Sequence, residues 1–379
     1  MDAEFDPEQE ALRATVARFL DARAPLSWVR ERYDDERGTT DDVWRGLADL
    51  GVLGLLVPER HGGSGAGILD AAVVLEELGR AVHPGPYTSS AVGAASLVVL
   101  AGSESDHAAR LPGIADGSTI ATVALLEPGR RAEWRAPRTA ARPDGEGWRI
   151  EGTKVHVPDL VGADLVLVTA TDPDGALGVF AVAPFAPGLR ITSEPVVDGT
   201  RKRGTLTLAG APAQRVGAAD ATDAVAETVD RLGAASVVEG VGTAARALEL
   251  TTEYAKTRVQ FDVPIGTFQA VQHLCADMLR DVELARAASY YACWAADAAS
   301  PRERHRAVTM ALAFAGDALY GVGASAIQVH GGIGYTWEHD IHLFYKRLLT
   351  LQEVGGGSVD QLEELAAIVL DDPSPAGTG

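Results

Sequence analysis

The period of the apolar positions changes twice along the chain. Within residues 8–22, Leu12, Val16, Phe19 and Leu20 recur at helical spacing, and the pattern returns over residues 43–50 and 68–82. This predicts a helical first third. Glycine-rich turns interrupt it, the densest being His61-Gly-Gly-Ser-Gly-Ala-Gly67. No strand leads into that cluster and no Gly-Lys-Ser/Thr follows, so it reads as a flexible loop between helices rather than a phosphate cradle. From about Thr119 the period falls to two. Trp148, Ile150, Val155 and Val157 form one set, broken at Glu151-Gly-Thr. Residues 165–170, the turn Asp172-Pro-Asp-Gly175, and residues 177–182 and 205–208 continue it. Short strands at this spacing predict an antiparallel sheet or small barrel. From about Thr222 the helical period resumes over residues 228–257, 268–298 and 303–330, each long enough for a bundle helix.

The pattern therefore predicts an α+β protein in three parts: a helical domain over 1–118, a β domain over 119–218 and a helical bundle over 219–370. Residues 371–379 read as a disordered tail.

Composition narrows the partners. The 379 residues carry 33 Lys and Arg against 53 Asp and Glu, a formal charge of −20. That balance argues against bulk binding to nucleic acid or an anionic membrane. With 46% hydrophobic and 23% charged residues the composition is globular. Cys275 and Cys293 are too few for a disulfide framework and their spacing fits no metal pattern, so no metal site is read. The acidic N-terminus lacks the apolar core of a signal peptide. Apolar runs such as residues 51–57 and 91–101 are too short to span a bilayer. A soluble, cytoplasmic protein is expected.

Three stretches carry a family resemblance: Leu50-Gly-Val-Leu-Gly-Leu-Leu-Val-Pro-Glu-Arg-His-Gly-Gly63 followed by Glu76-Glu-Leu-Gly-Arg80; Tyr254 through His273, containing Thr257-Arg-Val-Gln-Phe261; and Gln328-Val-His-Gly-Gly-Ile-Gly-Tyr335. Together they resemble the acyl-CoA dehydrogenases, over about residues 5–370. The resemblance implies an N-terminal helical domain, a central antiparallel β-barrel and a C-terminal four-helix bundle. It also implies FAD held partly across a subunit interface, a homotetramer or heterotetramer, an acyl-CoA or acyl-carrier-protein substrate, and electron-transfer flavoprotein or another acceptor. Arg258, Gln260 and Phe261 match positions at the FAD pyrophosphate and adenine, and Gln269, Gln328, Gly331 and Gly332 complete that site. A guanidinium fork suits phosphate oxygens, and glycines let backbone approach them. Asp262 stands where glycine is usual. Ala124-Leu-Leu-Glu-Pro-Gly129 resembles the flavin-facing loop, with Leu126 where a threonine touches the flavin. Gly152-Thr-Lys-Val-His156 places His156 where an aromatic ring covers it.

The implied chemistry is α,β-desaturation of a thioester, in which a positioned, desolvated carboxylate removes an α-proton. Both usual positions for that base lack a carboxylate, being Gly356 and Leu232. Glu239 is the lone charge within residues 232–245 and lies two turns after Leu232, on the same helix face. Its neighbours Ala235, Ser236, Gly242 and Thr243 are small, which predicts a desolvated carboxylate with room for a ligand. Glu239 is therefore the candidate base and Glu353 the runner-up. Arg130, Arg131 and Arg201-Lys-Arg203 are candidate contacts for CoA phosphates, or solvated turns. Gly355–Gly357 hints at a bulky acyl group. Two further readings stay open: a partner subunit that binds FAD but contributes no base, and a flavin monooxygenase or nitrososynthase on the same fold.

Overall fold

A computed structural model describes residues 5–370; the expected disordered tail, 371–379, lies outside the described residues. The first part is helical: α1 (Pro7–Arg23), α2 (Leu26–Arg32), α3 (Asp41–Asp49), α4 (Ile68–Arg80), α5 (Ala95–Ala101) and α6 (Glu104–Ala115). Local chemistry sets its ends. Asp6 accepts the amides of Glu8 and Gln9, Gln9 answers back, and Pro7 opens α1. Between α4 and α5 the residues Thr88–Ala94 form a π-helical turn, a form that clusters at functional sites.

The β part holds β1 (Ala121–Ala124), β2 (Ala140–Asp144), β3 (Gly147–Pro158), β4 (Leu165–Thr171), β5 (Leu177–Val182), β6 (Leu189–Ser193) and β7 (Arg203–Val216). The pairings β2–β3, β3–β7, β7–β5, β5–β4 and β4–β2 run in a closed circuit, with β1 on β4 and β6 on β7. Two findings correct the sequence reading. The sheet is mixed, because β1–β4 and β2–β4 are parallel. The expected break at Glu151-Gly-Thr is a bulge inside one continuous strand, with a register shift between Ile150 and Glu151.

The third part is built from α7 (Thr222–Thr257), a two-strand hairpin of β8 (Val259–Gln260) and β9 (Val263–Pro264), then α8 (Gln269–Ala298), α9 (Pro301–His330), α10 (Ile341–Leu351) and α11 (Ser358–Leu370). α7, α8 and α9 pack mutually, α10 lies on α7 and α9, and α11 runs along α9. One span, Pro301–Tyr335, is long and apolar enough to cross a membrane by length and composition, contrary to the sequence reading. Ala311, Ala315, Leu319 and Val322 of this span are buried in the bundle, while Met310, Phe314 and Ile333 are exposed.

One contact binds the first part to the third. α4 is buried on nearly all sides: from Ala71 to Gly79 every residue is buried, Glu76 and Glu77 among them. It crosses α7 at two glycines. A Cβ on Gly79 would sit 2.0 Å from the Glu239 carbonyl oxygen, and one on Gly242 would sit 1.9 Å from that of Glu76. Thr243 Oγ1 donates to the Gly79 carbonyl at 3.0 Å. Gly242 and Thr243 therefore seat a neighbouring helix; they do not open room for a ligand, as the sequence suggested.

Gly242→Ala forces backbone apart at this crossing, and the cost of overpacking, about 1–3 kcal/mol, outweighs the helix-propensity gain of about 1 kcal/mol. A lower thermal unfolding midpoint is expected. Gly321→Ala, in α9, meets nothing within 4 Å; scanning calorimetry should find that variant unchanged or more stable.

Candidate active site

The three parts meet around a cavity of about 630 Å³, within the usual range for ligand sites. The sequence-predicted positions Leu126, His156, Leu232, Glu239, Glu353 and Gly356 all line it. Glu353 is exposed, at the rim. Gly355, Gly356 and Gly357 have φ of 67°, 95° and 96°. Their run is a backbone requirement, since L side chains strain at such angles.

Glu239 is 4% exposed, yet it is not isolated. Arg347 of α10 donates to its Oε1 at 2.5 Å, Arg201 donates to the same oxygen, and Thr88 Oγ1 lies 3.3 Å from Oε2. Glu239 is the lone charge of its own helix stretch and is buried, but its guanidinium partners come from segments remote in sequence, which no helix-face argument sees. Arg258 is not among them.

Arg347 is held from every side. Nε donates to Asp198 at 3.0 Å, and Nη2 donates to Thr200 Oγ1 at 2.6 Å and to the carbonyls of Val82, His83 and Thr200 at 3.1–3.2 Å. Burial lowers its pKa against the opposing charge of Asp198. Burial, then the charge of Arg347, pushes Arg201 down to about 9, so it stays protonated at neutral pH. Arg201 is thus no solvated turn. His83 is pushed down to about 3 by burial and then by Arg347 and Arg201, which leaves a neutral ring stacked on Trp28. Asp159, also on the cavity wall, accepts from Ser89 Oγ at 2.5 Å; burial raises its pKa against Ser89 and the two arginines.

A second buried pair aims the β loops. Lys154 Nζ, fully buried, donates to Glu127 Oε1 at 2.9 Å, to the Leu125 carbonyl at 3.1 Å and to Thr169 Oγ1 at 3.2 Å. Glu127 also accepts the amides of Arg138 and Thr139 and the Thr139 hydroxyl. Burial opposes its ionisation, but Thr139, Lys154 and the amides prevail and hold it at about 2. Burial lowers Lys154 to about 8 against the pull of Glu127. This pair fixes the residues beside Leu126 and His156. His156 sits in the second bulge of β3 with φ 55°, its Nδ1 2.7 Å from Glu194 Oε2. Arg131 lies exposed on the rim and pairs with Asp360 at 2.7 Å.

The other candidate cofactor residues stand elsewhere. Arg258 caps the end of α7, 19 residues after Glu239, a separation of about 28 Å at helical rise. Arg258, Gln260, Phe261, Gln269, Gln328, Gly331 and Gly332 are all exposed, and Phe261 is 87% so. The stacked rings of Tyr254 and His330, 4.4 Å apart, join the ends of α7 and α9 and so gather Arg258 near Gly331. The structure thus sets the predicted residues in two places on one chain. The fit to a dinucleotide at the distal place is good: the Arg258 guanidinium has no partner among the described residues, and a Cβ on Gly331 or Gly332 would meet nothing. The β8–β9 loop, Phe261-Asp262, has positive φ at both residues (53° and 65°). This is why glycine suits the second position; Asp262 tolerates it at some strain.

Sequence reasoning missed Arg347, Asp159 and the Lys154–Glu127 pair as site-builders. Lys154 and Glu127 lie inside the Gly152–His156 and Ala124–Gly129 motifs, and an internal Lys in a period-two strand was their available signal. Arg347 had no such signal beyond its place in an apolar helix.

Comparison with known proteins agrees with this architecture. The acyl-CoA dehydrogenase N-terminal domain model matches residues 6–118 and the C-terminal domain model residues 223–370. The acyl-CoA dehydrogenase IpdE2 of Mycolicibacterium smegmatis is 33% identical over 96% of this chain and 99% of its own. Among solved structures, a variant of the Tcur3481–Tcur3483 steroid acyl-CoA dehydrogenase is 34% identical, with TM-score 0.88 over 96% of this chain and 98% of that one. The ChsE4–ChsE5 complex of Mycobacterium tuberculosis is 30% identical, with TM-score 0.90 over 99% and 100%. With two domain models, full-length relatives and the shared three-part fold in agreement, this chain belongs to the acyl-CoA dehydrogenase family.

Proposed function

We propose that the chain catalyses FAD-dependent α,β-dehydrogenation of a bulky acyl-CoA thioester, with Glu239 as the base. The observation that carries this reading is the placement of a buried carboxylate on the wall of the cavity that Leu126 and His156 also line. The cofactor supplies the acceptor for the hydride that leaves the β-carbon. Leu126 and His156 would flank its ring system, while Arg258, Phe261, Gln269 and the Gln328–Gly332 stretch would hold the diphosphate and adenine of a cofactor shared with a partner subunit. Gln260 stands in the same hairpin. Glu239 accepts the α-proton. Of its two guanidinium partners, Arg347 is anchored by five other contacts, whereas Arg201 is partly exposed, so Arg201 is the one an entering acyl group can displace. The steroid acyl-CoA dehydrogenase among the solved relatives supports a bulky acyl group, and electrons would pass on to an electron-transfer flavoprotein or another acceptor.

A second reading has one specific support. Two arginines hold Glu239 as a carboxylate ion pair, and the usual base positions are Leu232 and Gly356. The chain would then be the cofactor-binding subunit of a heteromeric enzyme, as the ChsE4–ChsE5 relative is a complex.

Anaerobic stopped-flow reduction by an acyl-CoA tests both. The purified chain should bleach its flavin, and Glu239→Gln should slow this about 10²–10⁴-fold with flavin retained. Bleaching equal in the two proteins overturns the base assignment; a flavin-loaded chain that never bleaches alone supports the heteromer. Arg258→Ala should lower the flavin content after gel filtration without lowering the folded fraction.

A further inference from the structure

Remote from the cavity, in the N-terminal part, three side chains converge that the proposed reaction does not use. His61 closes a 3₁₀ turn, Glu59–His61, at the head of the glycine-rich loop. Glu104 and His107 lie one turn apart at the start of α6. One donor atom from each lies within 4.8 Å of the others. His61 Nε2 is 3.3 Å from Glu104 Oε1, and His107 Nδ1 is 3.8 Å from Glu104 Oε2. The imidazole rings stand edge-to-face with centroids 5.6 Å apart.

The independent observation concerns hydrogen bonding. His61 is 7% exposed, and its Nε2 is buried with no hydrogen-bond partner; both ring nitrogens of His107 are in the same position. Buried polar atoms are nearly always satisfied, so the two orphaned nitrogens beside the Glu104 carboxylate, His61 Nε2 and His107 Nδ1, need an occupant. Two neutral imidazoles and a carboxylate are a donor set for a borderline divalent ion. Tetrahedral bonds of about 2.1 Å place donors about 3.4 Å apart, close to the 3.3 and 3.8 Å separations here. Glu104 is 70% exposed at its side chain and free to adjust. The competing contact is Arg60, whose Nη2 is 3.5 Å from Glu104 Oε2; it too is largely exposed and can swing away. Glu104 and Asp106 in the first turn offset the positive end of α6.

We propose that His61, Glu104 and His107 form a zinc site that clamps the loop before α4 to the start of α6, with water completing the coordination. The untagged chain, stripped with chelator and dialysed, should take up one further Zn²⁺ per molecule relative to His107→Gln and to Glu104→Gln, by competition with a chromophoric chelator. Zinc should raise the thermal midpoint of the wild type and leave that of both variants unmoved. Glu104 is exposed, so its variant remains informative should His107→Gln fold poorly. Equal zinc uptake by wild type and Glu104→Gln, or none by the wild type, overturns the proposal.

Discussion

One buried guanidinium holds the three parts of this protein in register. Arg347 comes from α10, yet its contacts reach the turn after α4 through Val82 and His83, the β part through Asp198 and Thr200, and α7 through Glu239. A fully desolvated charge is tolerated only when nearly every donor is satisfied, and removing one partner leaves an uncompensated ion. The cavity wall is therefore rigid where Arg347 stands and adjustable where Arg201 stands. The same carboxylate serves as a structural counter-ion and as the candidate reacting group.

The crossing of α4 and α7 supplies the other half of this constraint. Gly79 touches backbone at Glu239 itself, so the position of the carboxylate along α7 is set by helix packing before any side-chain pairing. The net charge of −20 takes on local detail here. Acidic surplus dominates the chain as a whole, while Arg201, Lys202, Arg203 and Arg347 all line the cavity, a local reversal suited to an anionic ligand.

Most of the fold was legible in the sequence because its signals are local. The period of apolar residues located α1, α4, α7, α8 and α9 within a few residues, and β5 with its bounds unchanged. Parallel pairing of β1 with β4 was not legible, since strand alternation carries no direction. The site was legible as a set of positions: Leu126, His156 and Gly356 were named from family motifs, Glu239 from its helix face, and all four share one cavity. Its electrostatics were not. The ion pairs of Glu239 with Arg201 and Arg347 span 38 and 108 residues, and such long-range pairings leave no periodic trace. Motif residues Glu127 and Lys154 were visible, but their burial as a pair required the closed sheet.

The length of α7 has a consequence for inheritance. One rigid helix carries the candidate base on its middle turns and the exposed arginine at its end, far beyond mutual contact. A side chain changed at one end touches nothing at the other. In an assembly that shares cofactors across chains, two copies injured at opposite ends can still build one intact centre between them. After gene duplication, each copy is then free to keep a different end.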